Sequence, residues 1–484
     1  MNREQLKKIN SVVLIAYVII AVLFWWIAGD QMRFQEVHTA SITPAAPVGE
    51  LVAGMEIRQP FTAQSDELRS VSMQLSTYAR TNTATVVMQV VDADGTVQGE
   101  TELNAAEIAD NTVREIPFAE PIALTSGERY ELVLTSPDGQ PGNAITVWMG
   151  NTVSAAKTEV TLQIPESDKL SVNDECMDAQ LHYSLNGRNY SWFGQVYWYA
   201  AVGIAGFLLA YGMYLVRLLD SGKNNVVLRL LAARQKYDYL IRQLISRDFK
   251  TKYKRSVLGV LWSFLNPLLT MLVQYVVFST LFKSDIPNFP LYLLSGIVCF
   301  NFFSEATTMS LMSIVGNASL ITKVYVPKYI YPVTRVLSST INLLLSLIPL
   351  AAVMLFTGTP LRPAVLLLPF GLICLVALSI GIGFILSSSM VFFRDTQFLW
   401  GVLSMLWMYA TPIFYPESII GEQYMVLFKC NPLYHIIRFI RIILIDGVSP
   451  EPKAYVLCLI ASFVPLLIGA VIFKKNQDKF ILNL

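Results

Sequence analysis

The chain has 484 residues, 54% of them hydrophobic and 15% charged, which excludes an ordinary soluble protein and points to the membrane class. Its formal net charge of +1 hides two parts of opposite sign: residues 30–193 carry 23 acidic and nine basic residues, and the rest of the chain is basic. So acidic a segment argues against gripping a polyanion, and no nucleic acid is expected as a partner.

Residues 11–28, SVVLIAYVIIAVLFWWIA, approach the roughly 20 apolar residues that cross a bilayer. The basic MNREQLKK precedes them, and Trp25, Trp26 and Ile27 do not make a small-residue cleavage site. Residues 1–30 therefore read as an uncleaved anchor with a cytoplasmic N-terminus. Residues 31–191 change character. VSMQLSTYA (71–79), ATVVMQVVDADGTVQ (84–98), RYELVLTS (129–136) and NAITVWMGN (143–151) alternate, and Asp94-Gly95 is a hairpin signal. The expectation is an all-β sandwich, jelly-roll-like in rhythm, of about eight strands. Both its ends enter membrane segments from the outer side, so it is expected to be extracytoplasmic. Residues 192–217 return the chain to the cytoplasm, with Trp192, Phe193, Tyr197, Trp198 and Tyr199 as an interfacial belt.

In 218–256, Tyr237, Leu240, Ile241, Leu244, Ile245, Phe249 and Tyr253 recur at helical steps, and the bases lie mostly off that face. A basic amphipathic helix of this kind is expected to lie in the membrane plane, apolar face among lipid tails. Residues 257–484 then hold six more apolar runs, near 257–282, 291–313, 332–356, 364–391, 398–415 and 454–473. The total is about eight spanning helices, with both termini cytoplasmic. The run 398–415 either spans or feeds a re-entrant segment through about 441. Under this topology 21 of the 27 basic residues outside 30–193 face the cytoplasm, as the positive-inside rule requires. Cys176, Cys299, Cys374, Cys430 and Cys458 form no CxxC pair and have no His at ligand spacing. That argues against a metal site or a disulfide framework; a Cys176–Cys430 bridge stays open, with free thiols preferred.

The stretch RDFKTKYKRSVLGVLWSFLNPLL (247–269) supplies Arg247-Asp248, Tyr253, Ser256, Leu258-Gly259, Trp262 and Pro267. It resembles the start of exporter-class ABC transporter permeases that move lipid-linked polysaccharides, such as O-antigen and teichoic acid. NASLITKVYVPKYIYPV (317–333), FFRDTQ (392–397), TPIFYP (411–416) and NPLYHIIRFIR (431–441) match further elements of that family in order. The resemblance covers roughly 225–484. The added anchor, β domain and return helix depart from the ordinary six-helix permease.

The resemblance implies a transport permease rather than an enzyme, working as a homodimer with two copies of a separate ABC ATPase. The chain has no G-x-x-x-x-G-K-[ST]; the nearest fragment, SGKNN (221–225), lacks the upstream Gly and the hydroxyl. No cofactor is expected on this chain, and ATP and magnesium fall to the partner. The loop 314–330, with Asn317, Lys323, Pro327 and Lys328, is the candidate ATPase-coupling element. Arg247, Lys250, Lys254 and Arg255 sit where the phosphate headgroup of a lipid-linked glycan would lie, with Arg335 and Arg394 near the same side. Phe300, Phe303, Glu305, Arg394, Asp395, Tyr409, Pro412, Tyr415, Asn431 and Pro432 are the candidate conduit and gate. Glu305, the one acid well inside a spanning run, would serve as a proton site, pair with Arg335 or face the conduit. Two other readings stay open: an exporter-class permease for a drug or simple lipid, and a receptor or scaffold whose working part is the β domain.

Overall fold

The computed structural model describes residues 3–39, 42–155, 158–161, 164–222, 225–253, 259–282, 288–324 and 326–483. They fall into two compact units, Met32–Val196 and the combination of Met1–Gln31 with Tyr197–Leu484.

The Met32–Val196 unit is built from two antiparallel sheets. One runs in the order Phe34–His38, Tyr183–Tyr190, Glu67–Ser76, Thr146–Gly150, Gln180–Leu181. Ala46–Pro47 pairs with Thr146–Gly150, and Thr112–Ala123 with Glu67–Ser76. The other runs Glu175–Met177, Leu170–Val172, Glu56–Thr62, Arg129–Thr135, Thr85–Asp92, Val97–Asn104. Alternation places Val71, Met73 and Leu75 of the first sheet against Val86, Met88, Leu132 and Leu134 of the second, in one buried core. This is a sandwich, not a barrel. The strands outnumber the expected eight because short pieces such as Leu170–Val172 carry too few residues to show a period. The Asp94-Gly95 hairpin forms as its sequence predicts. Gly95 takes φ +82°, and the Asp92 carboxylate accepts from the amides of Asp94 (3.0 Å) and Thr96 (2.8 Å). At Thr77–Arg80 the chain reverses through Tyr78 and Ala79, both left-handed (φ 57° and 56°), an uncommon conformation for side-chain-bearing residues. Asp110 pins the reversal. The Ser76 hydroxyl and the Thr77 amide both donate to it at 2.6 Å and hold its carboxyl below the usual range.

The other unit is helical: α1 (Arg3–Arg33), α2 (Trp192–Asp220), α3 (Val226–Tyr253), α4 (Trp262–Phe282), α5 (Phe289–Leu311), α6 (Ala318–Ile321), α7 (Ile330–Phe356), α8 (Leu368–Phe392), α9 (Thr396–Tyr409), α10 (Glu422–Lys429), α11 (Pro432–Arg441), α12 (Pro452–Asn476) and α13 (Phe480–Asn483). Among the described residues, six segments are long and apolar enough to cross a membrane: Arg3–Arg33, Trp192–Asp220, Phe289–Leu311, Ile330–Phe356, Pro363–Phe392 and Pro452–Asn483. The chain is a multi-pass helical membrane protein with a β domain inserted between α1 and α2. In α4 the apolar stretch, Phe264–Phe278, is shorter.

α1 and α2 pair antiparallel. Tyr17 donates its hydroxyl to the Ala201 carbonyl (3.0 Å), and Tyr197 donates to that of Ala21 (2.8 Å). Most of their surface is exposed apolar side chain, Val12, Ile15, Ile20, Val202 and Phe207 among them, which is what lipid contact requires. α5 is the opposite case: buried along most of its length, it is the central post of the core. α8 and α12 approach at Gly381 and Gly469, where a Cβ on Gly469 would collide with the Gly381 carbonyl.

One expectation changes and one open alternative narrows. The apolar face of α3 is covered by protein rather than lipid: Leu244, with Tyr237, Leu240 and Ile241, packs on Ile314, Ile321, Tyr331, Phe473 and Phe480. Periodicity identifies a face that must be buried, but not what buries it. The run 398–415 is helical only to Tyr409. At ~1.5 Å per residue, the 14 residues of α9 fall short of the ~30 Å hydrocarbon core. α10 and α11 follow, and both ends of α11 meet one short stretch: Asn431 bonds Trp407, Ala410 and Thr411, and Arg441 bonds Pro412 and Ile413. α11 is therefore folded back against the stretch that follows α9.

Candidate functional site

The C-terminal half of α3 lies against α5 and α7 and brings its charges onto theirs. Asp248 accepts from Arg247 of its own helix (3.2 Å) and pairs with Arg335 of α7 (3.0 Å), its side chain only 4% exposed. Arg247 also reaches the Asn317 side-chain oxygen at 3.5 Å. One turn on, the Lys252 ammonium meets both Glu305 oxygens, at 2.9 and 2.8 Å. Glu305 further accepts from the Asn342 amide (2.8 Å) and the Ser339 hydroxyl (3.4 Å). Glu305 is thus satisfied at its membrane depth by a cation and two neutral donors, and its partner is Lys252, not Arg335.

Two cavities open here. The larger, about 630 Å³, is lined by Arg247, Asp248, Thr251, Lys252, Glu305, Met309, Gly316, Asn317 and Arg335. The smaller, about 230 Å³, lies deeper among α4, α5 and α7, against Trp262, Asn266, Pro267, Asn301, Phe302 and Ser346. Three cations face two carboxylates around the larger one, an arrangement that favours an anion.

At the other end of α5, Arg441 of α11 is buried. Its guanidinium donates to the carbonyls of Pro412 (2.7 Å), Ile413 (3.0 Å) and Tyr292 (3.1 Å), and it lies 3.4 Å from the Tyr292 ring centroid. The Tyr292 hydroxyl donates to the Pro412 and Tyr415 carbonyls. Asn431 caps α11 through the Leu433 amide (3.0 Å) and accepts from the Trp407 indole (2.8 Å). The irregular stretch 410–416 is held to α5 and α11 by these bonds.

Of the four candidate headgroup bases, Arg247 lines the cavity, Lys250 is exposed on α3 and lines neither cavity, and Lys254 and Arg255 lie outside the described residues. In the coupling loop, Asn317 is buried, bonding the Ser313 carbonyl (2.7 Å). Lys328 donates to the Gln477 carbonyl (2.6 Å), and Pro327 is half-buried. Only Lys323, of these four, projects freely, beside an exposed Val324. Phe300 and Phe303 are core residues; Phe303 is fully buried with Trp400 and Trp407 around it, and neither lines the two cavities described. Arg394 and Asp395 are exposed on the α8–α9 turn and line neither cavity. Tyr409 is exposed, and Tyr415 donates its hydroxyl to the Tyr409 carbonyl (2.7 Å). Pro412 lies in the irregular stretch 410–416, and Asn431 and Pro432 form the start of α11 packed against it. Sequence reasoning passed over Lys252, Asp248, Asn342 and Arg441 as site residues. The signal for the first pair was their i, i+4 spacing, which sets an acid and a base on one face of α3.

The family model described as ABC-2 type transporter matches residues 239–445, which contain every residue of these cavities. An O-antigen export system permease protein of Klebsiella pneumoniae is 31% identical over 258 residues, 52% of this chain and 98% of that protein. One of Myxococcus xanthus is 28% identical over 256 residues, again 52% of this chain and 98% of that protein. A polysialic acid transport protein of Escherichia coli is 26% identical over 245 residues, 49% of this chain and 93% of that protein. The chain belongs to the ABC-2 type transporter membrane family. It is a transport permease, and about half of it, the β domain included, extends beyond the length those relatives match.

Proposed function

We propose that this chain is the membrane subunit of an ABC exporter that moves a lipid-linked polysaccharide across the cytoplasmic membrane. Two copies form the pathway, and a separate pair of ATPase subunits binds ATP and magnesium. The single observation that carries the reading is the cation-rich cavity between α3, α5 and α7, set inside a region that aligns with O-antigen permeases over nearly their whole length. An anionic lipid head suits its charge, and the basic residues flanking α3 favour an inner-leaflet position. The N- and C-termini are cytoplasmic in this reading, and the β domain lies outside, capping the exit or recognising the sugar. The exposed part of 319–324, with Lys323 and Val324, docks the ATPase. The re-entrant turn, with Tyr409, Pro412 and Tyr415, forms the outer gate.

Co-purification with the cognate ATPase tests the assembly. The lone chain is expected to be inactive, and the complex to turn over ATP faster when a lipid-linked glycan is added. Hydrolysis by the lone chain sinks the proposal. Equal stimulation by a simple lipid lacking sugar shifts it to a lipid exporter. An impermeant thiol reagent on Asp94→Cys should label intact cells from outside; labelling only after lysis reverses the topology.

A further inference from the structure

Lys252 and Glu305 line both cavities. The pair stands between the cytoplasmic opening and the deeper space among α4, α5 and α7. We infer that it is a displaceable occupant of an anion site: a phosphate of a lipid-borne diphosphate takes the place of the Glu305 carboxylate on the Lys252 ammonium. The inference rests on the export reading above and adds a residue to it.

Five observations carry it. The pair is accessible, with side chains 42% and 31% exposed, whereas the neighbouring Asp248 is 4% exposed and doubly paired. Opening an exposed pair costs little; separating the Asp248 cluster strands a buried charge. Next, Glu305 has fallback donors. With Lys252 gone, Asn342 and Ser339 still hold the carboxylate, so displacement leaves it partnered. Lys252 also sits in the last turn of α3, and its flexible stem swings an ammonium with three donors, where an arginine fork would be fixed. Arg247 and Arg335 lie around the same cavity and add charge for an incoming diphosphate. Last, Glu305 lies six residues before the end of α5, roughly 9 Å up the helix at ~1.5 Å per residue. With α5 taken as a spanning helix in the export reading, that is the depth of headgroups and upper acyl chains, which favours an anion carried on a lipid.

A phosphate outcompetes Glu305 because it brings more charge and more acceptor oxygens to the same ammonium. Glu305 then acts as a placeholder that keeps Lys252 oriented until the substrate arrives.

The test uses the full chain in nanodiscs of zwitterionic lipid, with polyprenyl diphosphate in one arm and inorganic pyrophosphate in the other, and binding read by native mass spectrometry. Glu305→Gln removes the competitor and should tighten binding by about fivefold, the worth of an exposed pair. Lys252→Gln should weaken it by at least as much. The charge swap Lys252→Glu with Glu305→Lys rebuilds the pair with its polarity reversed; it should keep the parent's melting temperature and lose the binding gain of Glu305→Gln. That ranking with the lipid supports the inference. The same ranking with inorganic pyrophosphate alone keeps the site and assigns it a soluble anion. A flat ranking, with every variant binding the lipid like the parent, overturns the exchange while leaving the export reading standing. No binding of either probe by the parent overturns both.

Discussion

Replacing Arg441 by lysine isolates what the buried guanidinium does. Arg441 spans three carbonyls, those of Pro412, Ile413 and Tyr292, at 2.7–3.1 Å. The fork also lies 3.4 Å from the Tyr292 ring centroid. A lysine ammonium keeps the charge but not the planar fork, and from one stem it can satisfy one of the three carbonyls well. Two hydrogen bonds from a charged donor are then lost, at about 1.5–3 kcal/mol each. Relaxation of the new lysine ammonium toward the freed carbonyls recovers part of this, so a net loss of about 3 kcal/mol is expected. The loss is local, because 410–416 has no other regular structure to lean on. It corresponds to roughly a hundredfold rise in the opening of that segment. Hydrogen–deuterium exchange by mass spectrometry reads it directly: peptides covering 410–416 should exchange far faster in Arg441→Lys, and strands of the β domain should be unchanged. If the variant protects 410–416 as the parent does, the carbonyl fork does not hold the stretch, and its rigidity must come from Trp407 and Asn431.

Three further outcomes follow from the same packing logic. Asn431→Ala removes both the α11 cap and the acceptor of the Trp407 indole; a loss of about 1–2 kcal/mol is expected, read as a lower melting temperature with altered tryptophan fluorescence. Gly469→Ala drives a methyl into the Gly381 carbonyl, and a cost of about 1–3 kcal/mol should appear in the thermal unfolding of the helical unit. For Asp110, whose carboxyl is held below its ordinary value by Ser76 and Thr77, the stabilisation is fully present above the unfolded value of about 3.9. It is lost as pH falls through the lower folded value. Asp110→Asn should lower the β-sheet melting temperature at neutral pH and flatten its decline on acidification; an identical acid profile in parent and variant refutes the linkage.

The β domain was legible because its strands are half-buried. In Thr85–Asp92 every second side chain faces the core, and a period of two is the direct imprint of that geometry. The membrane segments were legible for another reason, as continuous apolar runs of bilayer length. The sequence leaves open whether 398–415 spans or feeds a re-entrant segment, because the run is as apolar as a spanning helix. What ends α9 at Tyr409 is a set of distant partners, Asn431, Tyr292 and Arg441, that no local window contains. The charged cavity was half legible. A dense basic stretch marked the right helix, but density says nothing about which base turns inward. Lys252 turns toward Glu305 and Lys250 does not, a difference fixed by how α3 rolls against α5 and α7. Asn317 read as loop surface because its neighbours are polar or small; in the fold its amide closes back on Ser313.

The seam of the β domain has a consequence for how the chain is made. Its first strand, Phe34–His38, pairs with its last, Tyr183–Tyr190, from Phe34↔Tyr190 to His38↔Asn186. Just beyond each, α1 and α2 pair with each other through Tyr17 and Tyr197. Both closures wait for the same late stretch of polypeptide. Until the ribosome has delivered residues 183–201, the first strand is an unpaired edge and α1 is a lone helix in lipid. The contacts that end this state join residues some 150 positions apart, the slow kind of contact for any chain to find. A truncation or stall before that point therefore leaves an edge open to pairing with other chains, whereas synthesis past α2 shuts the sheet and the helical hairpin in one step.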